Sequence, residues 1–521
     1  MIKLLKYTCM MMLLLTMGSC KKFLTETPVA QLAAEKFYKS KYDIDAAMAG
    51  MYSAFQQTMV GEGQYLDRYH YWGDYRSDNF DRFLNYTTTH VSEIALNAIT
   101  PDNIYTDWSM LYTVIARANN NIKYIPPVMA LDLSVTPVVV DANLAQSYAM
   151  RAMCYFYIVR VWGDAPIWLE PYDDVNMDAQ RPRESAAKIL DEVVIKDLTK
   201  AYGMIVKNQT AAVYNINEGA ICAALADAYM WKKDYPNAII WIKNLFKARS
   251  PKGAAYAGVS DVNLEPTATW KNIFTSPSTS PETIWSLHWD FVANGCACNV
   301  TSWTSNNKTF QVDPILYTNY FFPHSQTVRP NTDIRPKQTL DLYTVANPAN
   351  NNRDRFLKYY ASPTNPTATT STAALALFYN QQVPVYLTMY RLSDMYLLYA
   401  EALNGSGDLS NALRYLNYIR KRATLQEYLV TDPKVSTQAA MENAILEERQ
   451  YELIGEGKRW FDLVRTNKVK EVMDPVLKDR QTRAGNNDIN GFVDVRRAYW
   501  PISRAVLNAN KKLVQNPGYG E

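Results

Sequence analysis

The densest chemistry in the chain lies between Glu447 and Arg465. Glu447, Glu448, Arg449, Glu452, Glu456, Arg459, Asp462 and Arg465 mix both signs of charge among Leu453, Trp460, Phe461 and Leu463. Two carboxylates and an arginine could serve general acid–base catalysis. The setting favours another use. No histidine, serine or cysteine falls within the stretch. Glu448, Glu452 and Glu456 recur every four residues, so on a helix they share one face, where unpaired like charges repel. Interleaved arginines and apolar residues predict partly buried carboxylates forked by guanidinium groups. We read Glu448, Arg449, Glu452, Glu456, Arg459, Asp462 and Arg465 as a structural ion network and assign no catalytic residue.

A second set of residues suits binding. The chain holds 37 Tyr and 12 Trp. Their rings join a flat apolar face to a hydrogen-bonding tip. Sugars have the same dual character, but peptides and protein partners could use such rings equally well. Two polar, aromatic segments are the candidate ligand loops. One runs from Tyr69 to Asn79 and contains Trp72, Arg76, Asp78 and Asn79. The other follows a strand-like run and contains Trp289, Phe291 and Trp303 among Asn294, Asn299 and Asn306. Trp108 and Trp460 lie on apolar helical faces and read as core.

Metal and redox chemistry have little support. Histidines 70, 90, 288 and 324 show no metal-ligand spacing. Cys154 and Cys222 sit in apolar stretches and read as buried thiols. Cys296 and Cys298, two apart, would form a strained bond and read as free. No cofactor is expected.

The first residues address the chain. Lys3 and Lys6 precede an apolar run too short to span a bilayer, and Gly18-Ser19 leads to Cys20. That is a secretory signal. Met17-Gly18-Ser19-Cys20 is similar to a bacterial lipobox, with residues 1–19 removed and Cys20 lipidated as the new N-terminus. Residues 20–28 then form a tether. Losing the signal removes two lysines and lowers the formal charge from +3 to +1. A near-neutral body gives no reason to expect nucleic acid as partner.

The elements that must position these groups are mainly helices. Apolar residues recur at helical spacing over 43–57, 107–124, 142–161 and 218–231, and again from about 392 to 465. Residues 250–380 are rich in Thr, Ser, Asn and Pro and read as long loops, with strand-like runs at 283–289 and 356–360. The tail reads as short elements. Ala226-Asp227-Ala228 with Asp234-Tyr235-Pro236-Asn237-Ala238-Ile239 repeats, 174 residues later, as Ala400-Glu401-Ala402 with Asp408-Leu409-Ser410-Asn411-Ala412-Leu413. That is the helix–turn–helix chemistry of a tetratricopeptide unit.

The stretch Glu447-x-Arg449-x-x-Glu452-Leu453-x-x-Glu456-Gly457-x-Arg459-Trp460-x-Asp462-Leu463-x-Arg465 resembles the hallmark of the SusD/RagB family of outer-membrane nutrient-binding lipoproteins. Arg391-Leu392-Ser393-Asp394 to Asn404, Leu416 to Ala423, Arg151 to Pro166, and Gln515-Asn516-Pro517-Gly518-Tyr519 resemble other family segments. The resemblance implies a mostly α fold, a tetratricopeptide-like helix-pair scaffold with a loop-rich second half and minor β. It divides the body into an N-terminal SusD-like helical region, 29–250, and a C-terminal RagB/SusD region, 251–521, with the ligand loops and second repeat pair. It implies a lipid-anchored binding protein without catalysis, at the cell outer membrane and facing outward. Its partners would be an oligosaccharide and a SusC-like TonB-dependent transporter. A peptide-capture member is the alternative, and a lipid-anchored glycosidase a distant one.

Overall fold

The computed structural model describes residues 34, 36–61, 67–83, 88–173, 176–294, 309–325, 333–340, 342, 353, 356–359 and 384–520. Cys20, the signal and the tether lie outside them, as do Cys296, Cys298 and Trp303.

Helices dominate. The first, α1, spans Lys41–Val60. Ser40 and Asp43 form its capping box, each side chain taking up the other's backbone N–H; such caps satisfy donors that a helix start leaves unpaired. A short helix, α2, spans Arg68–Gly73, and all six of its residues are buried. Strand β1 spans Phe80–Arg82. Helices α3, Ser109–Val128, and α4, Pro137–Val161, form a packed hairpin against which α1 lies. Thr136 caps α4 and Pro137 opens it, a position where the missing N–H costs nothing. Helix α5, Lys196–Met204, packs on α4.

Two further hairpins carry the 174-residue repeat. One joins α6, Glu218–Trp231, to α7, Tyr235–Leu245. The other joins α8, Leu392–Gly405, to α9, Leu409–Arg422. The repeat extends to single hydrogen bonds. Asp234 caps α7 and takes the Asn237 amide at 2.8 Å; Asp408 caps α9 and takes the Asn411 amide at 2.7 Å. Ala226, Ala228, Ala400 and Ala402 are buried, so small side chains let helices approach closely. The repeats also touch: α7 packs on α8, and a Cβ at Gly405 would come within 2.4 Å of the Tyr235 ring.

Strand content is small among the described residues. Strand β2, Thr283–Trp289, pairs antiparallel with β4, Val385–Arg391; β3, Phe310–Val312, pairs antiparallel with β1. Of the run at 356–360, the described residues 356–359 contribute an isolated bridge, Leu340 to Phe356. After α10, Gln438–Leu453, and α11, Arg459–Arg465, comes α12, Val469–Arg483. That last helix corrects the reading of the tail as short elements. Pro475 inside it masks it in the sequence, because proline normally breaks a helix. Buried apolar residues from Tyr38 to Ile502 form one contiguous cluster, which includes Cys154, Cys222, Trp108 and Trp460.

Candidate functional site

The charged stretch forms the centre of the molecule. Helix α10 ends at Leu453. Glu448 and Glu452 therefore project from it, whereas Glu456 lies past its end; this corrects the three-carboxylate helical face. Arg391, the last residue of β4, gathers them. Its Nη1 meets Glu452 Oε1 at 2.6 Å and Glu282 Oε1 at 2.7 Å, and its Nε meets Glu456 Oε2 at 2.7 Å. Arg335 bridges Asp333, Glu448 and Glu452 at 2.8, 2.6 and 3.1 Å. Arg422 joins Glu282 to Glu452, and Lys358 Nζ meets Glu456 at 2.5 Å. With Arg420 on Glu448, five carboxylates face five cations.

Neighbouring pairs extend the cluster. Arg449 holds Asp394 and Asp462, each at 2.9 Å. Arg465 closes on Asp462 at 2.6 Å and on Glu401. Burial alone would raise the Glu452 carboxyl. Arg422, Arg391 and Arg335 outweigh burial and hold it well below the usual carboxylate range. Lys358 is pulled down by burial to about 8, against the pull of Glu456. Glu452 and Arg391 are fully buried, so ligand has no route to them. The arrangement joins elements: β4, α9, α10 and the segments at 282, 333–335 and 358 meet there. Sequence reasoning missed Glu282, Asp333, Arg335 and Lys358, and named Arg391 and the segment of Arg422 without joining them to the network, because all are far away in the chain.

The first candidate ligand loop belongs to this interior. Trp72 is fully buried; its Nε1 donates to the Tyr105 carbonyl at 2.9 Å, and its ring packs edge-on to Trp162 at 5.2 Å. Asp78 is gripped by both arms of Arg459, at 2.8 and 2.9 Å. Asn79 donates to Asp74 at 2.8 Å and accepts from Gln450 at 3.1 Å. Arg76 donates to the Ala498 carbonyl at 3.0 Å and lies 4.3 Å over the Trp460 ring. Trp72, Arg76 and Asn79 are buried and Asp78 half-buried, and each makes hydrogen bonds to the protein. Burial also pushes the Asp74 carboxyl up to about 6, against His70, Asn79 and the Gly457 N–H. The segment is wedged so tightly that a Cβ on Gly73 would fall 2.1 Å from the Gly457 carbonyl oxygen.

The second candidate loop is partly corrected and partly outside the described residues. Trp289 is buried, opposite Val385; Trp303 is not described. The residues beside Trp289 matter more. Successive strand residues point to opposite faces, so His288 points away from Trp289. Its cross-strand partner is Tyr386, with rings 4.8 Å apart and 14° from parallel. Tyr214 completes a shingled trio, 5.2 Å from His288 and 5.9 Å from Tyr386. All three are half-buried. Burial lowers the His288 pKa, which favours a neutral ring. Period-two alternation around Trp289 and Val385 is the signal that could have found His288 and Tyr386.

Tyr214 also lines a groove of about 640 Å³ between α1, the start of α4 and residues 205–218. Tyr52, Asn143, Gln146, Gln209 and Asn215 line it too. Tyr52 is fixed there: its hydroxyl donates to Gln146 Oε1 at 2.7 Å and accepts from Ile216 N–H at 2.9 Å. Volumes of 300–1,000 Å³ are usual for small-ligand sites. Half-buried rings beside amides can stack on an apolar ring face and hydrogen-bond its polar rim. Among the described residues no cluster of His, Cys, Asp and Glu could hold a metal ion.

Two family models match the chain. One, described as the SusD family, matches residues 298–519; the other, described as starch-binding associating with outer membrane, matches residues 22–230. SusD-like protein P38 of Formosa agariphila is 27% identical over 96% of both chains. A SusD-like protein of Bacteroides ovatus is 22% identical over 85% of this chain and 78% of its own. A SusD superfamily structure from Bacteroides vulgatus superposes with TM-score 0.71 at 17% identity, over 93% of this chain and 100% of that one. A laminarin-binding SusD-like protein superposes with TM-score 0.67 at 19% identity, over 92% and 100%. These structures share the fold.

Proposed function

The chain belongs to the SusD/RagB family, and from that premise we propose that it captures oligosaccharides at the outer membrane and passes them to a SusC-like TonB-dependent transporter. Acyl chains on Cys20 hold it there, on the outer face of the cell. It binds its ligand without transforming it. The observation that carries the reading is the match of two family models, one with a starch-binding, outer-membrane description, to the two halves of the chain. The Tyr214–His288–Tyr386 trio and the adjoining groove support it as the place where sugar rings rest.

The test is calorimetric titration of the purified mature chain against a panel of starch, laminarin and other oligosaccharides, with peptides alongside. The expected result is binding to at least one glycan, weakened when Tyr386 or Tyr214 becomes alanine. Binding to peptides alone would replace this reading with peptide capture. Glycan binding indifferent to both substitutions would move the site away from the trio.

A further inference from the structure

Exposed large apolar side chains occur at several places on the described surface, Ile489, Val493 and Val495 among them, and one end gathers six. Met129 ends α3, Leu131 and Leu133 follow in the turn, and Val138 lies in the first turn of α4. All four are exposed, Leu133 to 98%. The Lys41 N–H at the start of α1 donates to Asp132 Oδ2 at 2.8 Å. That bond seats the incoming chain against the turn and adds Phe37 and Tyr42, the latter 80% exposed. Asp132 is the only acid of the turn. Its other oxygen takes the Ser134 N–H and hydroxyl at 2.9 and 2.8 Å, which fixes the turn with its leucines outward. Lys36 and Lys39 stand exposed beside the aromatics, and the exposed Lys41 pairs with Asp45 at 2.7 Å. Aliphatic, aromatic and basic side chains together are the composition of a surface that lies in a lipid headgroup layer.

We propose that this end of the molecule, the α3–α4 turn with Phe37 and Tyr42, rests in the bilayer that carries the Cys20 anchor; it rests on the anchored reading above. Chain length singles out the lipid as occupant. Sixteen residues separate Cys20 from Phe37, and at full extension they reach at most about 58 Å. An anchored Cys20 therefore holds this surface near the bilayer at high effective concentration, and a contact too weak to recruit a free protein becomes intramolecular. The α9–α10 turn is a natural control. It too exposes apolar residues, Leu429 and Val430, and its Asp432 takes the Lys434 N–H at 2.9 Å. It lies some 400 residues from the anchor.

The test uses the acylated full-length protein with Cys296 and Cys298 changed to serine; Cys154 and Cys222 are buried. A single cysteine is introduced as Leu133→Cys or, separately, Leu429→Cys, and labelled with a polarity-sensitive fluorophore. Each protein is reconstituted into phosphatidylethanolamine–phosphatidylglycerol vesicles lacking any barrel protein, and flotation reports anchoring. The expected result is a several-fold rise in emission at position 133, lost when the lipids carry a quencher, with no change at 429. Floating protein whose two probes behave alike overturns the proposal and leaves the anchor standing. Protein that does not float overturns both. A rise at 133 that needs a co-reconstituted barrel makes the surface a protein contact and also overturns it.

Discussion

The two ends of one strand pair put polar chemistry to opposite uses. At one end of β2 and β4, Thr283 faces Arg391, and the Arg391 guanidinium is buried among Glu282, Glu452 and Glu456. Five residues along, about 17 Å away at strand rise, His288 faces Tyr386 as half-exposed rings beside a groove. The charged end holds the residue types of acid–base chemistry, yet it has no access. The aromatic end has access and no enclosed ion network; its carboxylates, Asp290 beside the rings and Asp45 and Glu218 in the groove, are not locked among arginines. Charges enclosed on every side lock elements together, because breaking such a pair strands a charge in low dielectric. Rings at a rim are cheap to hold and free to meet a ligand.

The comparison can be broken hardest at Glu452. Glu452→Ala should destabilise the protein by about 3–5 kcal/mol, since Arg335, Arg391 and Arg422 lose a shared partner. Chemical denaturation measures this. Ligand affinity of the folded fraction should stay as it was; an unchanged unfolding midpoint would dismiss the cohesive role.

Acid comes next. The carboxyls of Glu452, Glu282, Asp333 and Asp394 are held low by neighbouring arginines or lysine despite burial. The unfolded chain therefore takes up protons first as pH falls through about 4.5 to 4, and the stability these groups contribute is lost below that range. Asp74 works in the opposite sense. Its carboxyl, pushed up to about 6, is relieved of an ionisation penalty as pH falls toward 4. Urea titrations at pH 7, 5 and 3 should show little loss by pH 5 and a large one by pH 3.

The smallest effect on the fold belongs to the aromatic end. Tyr386→Ala should weaken ligand binding by about 0.5–1.5 kcal/mol, the scale of one ring contact. Unfolding should shift by less than the loss expected for Glu452→Ala. Calorimetry and denaturation on one preparation sharpen the contrast, and equal effects in both would erase it.

The sequence made the scaffold legible because its signals are local. Asp234 and Asp408 announce their turns, and alanines announce close helices. It also pointed to Glu448, Arg449, Glu452, Glu456, Arg459, Asp462 and Arg465, which the structure brings to one buried centre with its neighbouring pairs. Their partners were not legible, because Arg391 reaches Glu282 and Glu452 across 109 and 61 residues. The exposure of the candidate ligand residues is not legible for a related reason. Trp72 and Trp289 stand out by type, whereas exposure depends on what packs above a residue; both are buried, and Trp303 lies outside the described residues. The α2 helix is covered on every side by distant elements, and nothing near Trp72 in the chain records that.

The contact of Gly73 with Gly457 has a mechanical consequence. Main chain from the first quarter of the molecule abuts main chain from the last with no side chain between, and Asp74 Oδ2 takes the Gly457 N–H at 2.5 Å. A joint with no clearance resists sliding and pivoting, so main chain from the two ends of the sequence holds together there as one piece, more a weld than a hinge.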